Sequence, residues 1–155
     1  MQLIEATEDD LDTLVECWYT LASGMEQYSA FNELSYDDPD EVPADGFRRH
    51  LESDDVTEFL VEDGGELVGW VTTREGEHPS REYTRFTKIV NLLVREPYRN
   101  QGYGAEVVSR VEAIARENGC DHLKVACEWE NDGARRFYRD TGFEPKQVTF
   151  VQDLE

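Results

Sequence analysis

At 155 residues with 39% apolar side chains, the chain is long enough to bury one core and reads as a single domain over residues 1–155. Thirty-five acidic residues against 15 basic ones give a net charge of −20, with no basic stripe for a nucleic acid to follow. No apolar run could span a bilayer, and the opening MQLIEATEDD lacks the basic-then-apolar order of a signal peptide, so a cytoplasmic protein with no membrane partner is expected.

The acids are spread along the chain, and arginine outnumbers lysine 12 to 3. A salt-accumulating, halophilic setting suits such an acidic composition, because concentrated salt screens self-repulsion. Cys17, Cys120 and Cys127 have no metal-ligand spacing, and His50, His78 and His122 are dispersed, so no metal site is expected.

In chain order, Gln2 to Ala6 reads as a first strand. Thr7 with Asp10 three positions on resembles a capping box, and Leu11, Leu14, Val15, Trp18, Leu21 and Ala22 recur at helical spacing to about Met25. Glu26 to Pro43 reads as a partly ordered loop, and Phe47, His50 and Leu51 suggest a short second helix. Val56 to Glu62 and Glu66 to Arg74 flank a Gly64-Gly65 turn and read as a hairpin, followed by a loop over Glu75 to Arg81. Tyr83 to Val94 is a long strand whose alternation falters around Asn91 to Leu93, which allows a bulge. Gly102 to Asn118 is the clearest helix, stopped by Gly119. His122 to Cys127 is a strand, Asn131 or Asp132 caps a helix ended by Gly142, and Gln147 to Leu154 is predicted as a closing strand. Early hairpins and late crossovers predict a mixed α/β (α+β) sheet with helices on both faces.

The informative stretch is IVNLLVREPYRNQGYG, residues 89–104, an apolar strand running through a charged turn into a helix N-terminus. Such a terminus presents unpaired N–H groups and a favourable dipole to an anion. A P-loop would need Lys-Ser/Thr after the last glycine, where Ala105 and Glu106 stand. The dinucleotide fingerprint would need a third small residue, where Val107 stands. The glycines alone leave a structural turn and a ligand loop equally open.

Arg99-Asn100-Gln101-Gly102-Tyr103-Gly104 has the form Arg/Gln-x-x-Gly-x-Gly/Ala after a strand ending in Leu-Leu-Val, and Asn131, Ala134, Phe137-Tyr138 and Gly142-Phe143 form a second motif downstream. Together they resemble the GNAT superfamily of N-acetyltransferases. The resemblance implies a GNAT-like acyl-CoA N-acyltransferase fold, with a mostly antiparallel, splayed central sheet and acetyl-CoA as co-substrate. It implies that Arg99, Asn100, Gln101, Gly102, Tyr103, Gly104 and Ala105 hold the pyrophosphate. Leu92, Leu93 and Val94 would pair with the pantetheine arm, Asn131 would bind that arm, and Arg135 would add positive field. Tyr138 matches the family's general acid. For the base, Glu128 and Glu96 both stand near the motifs, whereas the family's usual acid on the preceding strand is replaced here by Asn91, Leu92 and Leu93.

The resemblance further implies acetyl transfer to a primary amine by direct attack in a ternary complex, with the amine entering near Tyr28, Phe31 and Tyr36. Cys127 as an acyl carrier is disfavoured, since strand cysteines are usually inert packing. Two alternatives stay open, a non-catalytic acyl-CoA-binding module and a Rossmann-type dinucleotide binder, and a homodimer is open as well. The acceptor itself is not encoded in any motif.

Overall fold

The computed structural model describes residues 1–155. Five strands, β1 (Gln2–Glu5), β2 (Val56–Asp63), β3 (Glu66–Glu77), β4 (Arg85–Val94) and β5 (His122–Val125), form one sheet in the order β1-β2-β3-β4-β5. The first three pairings are antiparallel, and β4 with β5 is parallel. Four helices, α1 (Leu11–Met25), α2 (Asp45–Glu52), α3 (Tyr103–Glu117) and α4 (Asp132–Asp140), complete the fold.

Local signals account for most boundaries. The Thr7–Asp10 capping box forms, on a single 3-10 turn that leads into α1. Gly64 and Gly65 both take positive φ, 60° and 83°, the geometry of a tight two-residue hairpin. Residues 26–43 carry three short 3-10 turns, at 26–28, 30–32 and 39–41.

Three expectations are corrected. β3 continues to Glu77, so the loop predicted over Glu75 to Arg81 is shorter, because β4 offers partners as far as Glu77↔Arg85. β4 starts at Arg85, and its bulge falls at Val90, between the Thr73↔Ile89 and Thr72↔Asn91 pairs. Gln147 to Leu154 forms no strand, and Phe150 and Leu154 are 90% and 91% exposed. Strand propensity becomes a ladder only by pairing with an edge, and this segment does not pair although the outer edge of β5 is open.

The sheet is covered on both faces. Against α3, Val107, Val108 and Val111 pack on Phe59, Val61, Val68, Val71 and Ile89. Against α1 and α2, Leu14, Val15 and Phe47 pack on Leu60, Trp70 and Leu93. The second face also encloses a carboxylate, Glu58, which is 2% exposed. It accepts hydrogen bonds from Trp70 Nε1 (2.8 Å) and Thr72 Oγ1 (2.5 Å), and its other oxygen meets His50 Nδ1 at 2.7 Å. The Thr72 hydroxyl proton is thereby committed, so Thr72 Oγ1 accepts from Asn91 Nδ2 (3.1 Å). The carboxylate end fixes the direction of this chain and leaves Oδ1 of Asn91 as the amide's acceptor.

Two stability predictions follow from this packing. A Cβ on Gly69 would lie 2.1 Å from the Leu93 carbonyl oxygen, whereas one on Gly24 would meet nothing within 4 Å. In urea unfolding, Gly69→Ala should lose about 2–4 kcal/mol and Gly24→Ala should gain about 0.5 kcal/mol. Glu58→Gln can keep its oxygen on Trp70 and Thr72, which share Oε1, but puts an NH2 against His50 and replaces a carboxylate acceptor by an amide, and the same measurement should show a loss of about 1–2 kcal/mol.

Candidate active site

The site begins where two strands part. β4 and β5 pair from Phe86↔His122 to Ile89↔Val125 and no further. β4 continues alone on that side through Leu92, Leu93 and Val94, while the chain after β5 turns away toward α4. The N-termini of α3 and α4 approach the resulting cleft from the same face of the sheet, with Phe137 of α4 against Gly104 of α3.

Two connected cavities occupy the cleft. The outer groove, about 570 Å³, runs from Leu92–Val94 over the turn to Gly102–Ala105 and is closed by Gly133, Ala134, Phe137 and Tyr138. No Asp or Glu lines it, although the chain carries 35 of them. The inner cavity, about 100 Å³, lies between Leu21 and Met25 of α1 and the parted strands, and contains Asn91, Cys127, Glu128 and Asn131. Leu21, Leu92, Ala134 and Tyr138 line both, so the Tyr138 side chain stands at the junction.

The turn before α3 is held by its own backbone and by the hairpin. Asn100 and Gly102 take positive φ, 61° and 87°, and no atom lies within 4 Å of a Cβ built on Gly102. A backbone in that conformation turns successive N–H groups toward one concavity, as anion-binding nests do. Gly104 serves packing, since a Cβ there would sit 3.1 Å from Phe137 Cζ. Tyr103 donates to Asp63 at 2.6 Å and Tyr98 donates to Glu66, which pins the turn to the β2–β3 hairpin.

The expected site residues separate into those that line the cleft and those that shape it. Leu92, Leu93, Val94, Arg99, Asn100, Gly102, Tyr103, Gly104 and Ala105 line the outer groove. The Arg99 side chain is engaged in the turn, Nε donating to the Val94 carbonyl at 2.8 Å. Gln101 likewise bonds Pro97 O at 3.1 Å and does not reach the groove. Asn131 lines the inner cavity and caps α4, its Oδ1 accepting from Ala134 N at 3.0 Å. Arg135 lines neither cavity. It pairs with Asp132 and stacks over Trp129 at 4.6 Å, with its Nε buried and unpartnered.

Of the two candidate bases, Glu128 lies in the inner cavity and Glu96 in neither. Glu128 Oε1 accepts a 2.7 Å hydrogen bond from Asn32 Nδ2, which also donates to Met25 O at 3.0 Å. Asn32 thus ties the segment after α1 to the loop after β5, a contact 96 residues apart that no local pattern signals. Tyr28, Phe31 and Tyr36 do not line the inner cavity, whose α1 wall is Leu21 and Met25. Burial, with a smaller contribution from neighbouring Cys127, pushes the Tyr138 hydroxyl up to about 12, so it keeps its proton at neutral pH. Cys127 is also pushed up by burial, against the lowering field of Arg135, which keeps it a thiol rather than a nucleophilic thiolate.

The comparisons with known proteins agree with this geometry. Residues 16–143 match the Acetyltransferase (GNAT) family. An N-acetyltransferase of Bacillus subtilis, YycN, is 31% identical over 90 residues, 57% of this chain and 55% of its own length. The aminoalkylphosphonate N-acetyltransferase of Salmonella typhimurium is 25% identical over 153 residues, 99% of this chain and 91% of its own. The chain spans about half the length of several curated relatives it matches. Among solved structures, an aminoglycoside N-acetyltransferase, AAC(6')-Iy, in complex with CoA superimposes with a TM-score of 0.75 at 16% identity, covering 99% of this chain and 94% of that one. The sheet order and its three antiparallel pairings are not those of a parallel dinucleotide-binding sheet, which sets the Rossmann alternative aside. With the family model covering most of its length and the fold in agreement, the chain belongs to the GNAT family of acetyltransferases.

Proposed function

We propose that the chain is an acetyl-CoA-dependent N-acetyltransferase acting on a primary amine in a ternary complex. The observation that carries this reading is the place of Tyr138, at the junction between an acid-free groove and a small cavity holding one carboxylate, Glu128. The groove suits a polyanionic thioester, because its floor is strand backbone, its far end is a helix N-terminus, and no acid lines it. Bound there, acetyl-CoA would supply an activated acetyl group.

The chain's own groups divide the remaining work. Backbone N–H groups of the turn from Arg99 through Ala105 hold the pyrophosphate, with Arg99 stiffening the turn through Val94 rather than pairing with phosphate. The free edge of Leu92, Leu93 and Val94 accepts the extended arm as an added strand, and Asn131 borders its inner end. Glu128, oriented by Asn32, takes a proton from the attacking amine, directly or through water. Tyr138 gives its proton to the departing thiolate sulfur, and its burial keeps that proton available.

Calorimetry with CoA and with NAD, followed by thiol release over a panel of amines, tests this reading. CoA binding without thiol release from any amine would favour the non-catalytic acyl-CoA module, and NAD binding without CoA binding would end the proposal. On a good acceptor, Tyr138→Phe should lower kcat by roughly 10²-fold with CoA affinity unchanged. Because the raised phenol ionises only near pH 12, the wild-type kcat profile should show no descending limb from Tyr138 below about pH 10.

The acidic composition is proposed to suit a cytoplasm rich in salt. The melting temperature should then rise steadily between roughly 0.1 and 2 M KCl, where the Debye length falls below about 10 Å. A flat response would refute this.

A further inference from the structure

The chain has three lysines, and the fold sets two of them, Lys88 and Lys124, side by side on neighbouring strands. Arg74 of β3 is the Cα partner of Lys88 of β4, and Lys88 is the Cα partner of Lys124 of β5. Three cations therefore stand in one row across three adjacent strands, a pairing that like charges make unfavourable on its own. Lys146, from the segment after α4, adds its field at Lys124 along with Lys88 and Arg74. The cation of Lys124 sits 4.1 Å over the Phe86 ring, and its ammonium donates to His78, which stacks on the same ring at 4.9 Å.

What the row lacks is a countercharge. None of Arg74, Lys88, Lys124 and Lys146 takes part in an ion pair. Asp121, on the turn before β5, pairs with His122 at 2.6 Å, and Asp55 is hydrogen bonded to Ser53 and feels the field of Arg74. Ten of the 15 Lys and Arg side chains make no ion pair, so what sets this row apart is the placing of like charges on neighbouring strands. Burial adds to the cost and disfavours the charged form of Lys124 further.

The position of the row relates it to the chemistry. Strand alternation puts Arg74 and Lys88 on the same face as Thr72 and Asn91, the face that α1 and α2 cover. One residue beyond Lys88 and Lys124, Ile89 and Val125 already line the inner cavity. At about 3.3 Å per residue, the row lies within roughly 10 Å of Asn91 along the sheet. An amine placed at Glu128 could therefore extend a short chain to it.

We propose that the acceptor is a small primary amine bearing a second, anionic group, carboxylate or phosphonate, and that Lys88 and Lys124 bind that group beside the inner cavity. This rests on the acetyltransferase reading and supplies its substrate class. The anion completes the row's charge balance, while Phe86 and His78 hold the Lys124 ammonium toward it. A diamine or polyamine would meet like charge at the same place, despite the acidic surface elsewhere.

The test compares thiol release at fixed ionic strength for 2-aminoethylphosphonate, β-alanine, ethanolamine, 1,3-diaminopropane and an acidic tripeptide. The kcat/KM for one of the two anionic small amines should exceed that for ethanolamine at least tenfold, and the phosphonate and carboxylate arms show which anion is preferred. Lys88→Gln and Lys124→Gln should each collapse that ratio at least tenfold through KM, with kcat for the anionic amine changed less than threefold. Lys88→Arg should restore most of the ratio, which a purely structural role for the position would not produce. Preference for ethanolamine, the diamine or the tripeptide overturns the proposal, as does an unchanged ratio in both glutamine variants. Should no amine release thiol, the acetyltransferase reading fails separately, and calorimetry with methylphosphonate decides the site. Heat that is lost in Lys88→Gln supports an anion site, and no heat with the wild-type chain overturns it.

Discussion

β4 keeps its partner β5 only as far as Ile89↔Val125, and the rest of the site depends on that parting. A strand that continued paired would leave no free backbone and no cleft between the layers. The parting is prepared from the other side of β4. The bulge at Val90 shifts the register against β3, and Gly69, facing Val94, lets the two backbones close up where a Cβ would collide with Leu93 O. β4 is thus held firmly by β3 and released by β5. The start of α3, packed against α4 through the Gly104–Phe137 contact, forms the opposite wall.

The polar core under α2 gives the same strand a second constraint. Glu58 is buried with three hydrogen-bonding partners, and its chain through Thr72 ends on Asn91, inside the inner cavity. A buried carboxylate with satisfied partners is costly to alter and directional, because it can only accept when ionised. It therefore orients an amide in the cavity from a position two strands away. His50, at the outer end of the chain, is the partly exposed member.

Charge is distributed against the average of the molecule. The outer groove has no acid in its lining, the inner cavity has one, and Lys88 and Lys124 share one row with Arg74 beside it. A net charge of −20 would otherwise repel a polyanionic thioester, so the local absence of acids matters as much as any single cation. Arg99 and Arg135, which lie in the motifs, are engaged within the fold: Arg99 ties the turn to Val94, and Arg135 lies between Asp132 and Trp129.

The sequence by itself determined the elements whose causes are local. Periodic apolar residues set α1 and α3, Gly64-Gly65 set the hairpin, and Asn131 capped α4 as its spacing implied. The two motifs also identified the family, since the backbone conformation they encode is read within a few residues. Tertiary structure alone decided what depends on distant partners. It put Glu128 and not Glu96 in the inner cavity, tied to Asn32, placed Tyr138 at a junction, and set Lys88 and Lys124 in a row with Arg74. It also left Gln147 to Leu154 without a ladder despite its strand-like composition. Periodicity records which face a residue takes, but register and edge pairing are set by contacts many residues apart, and those contacts have no local signature.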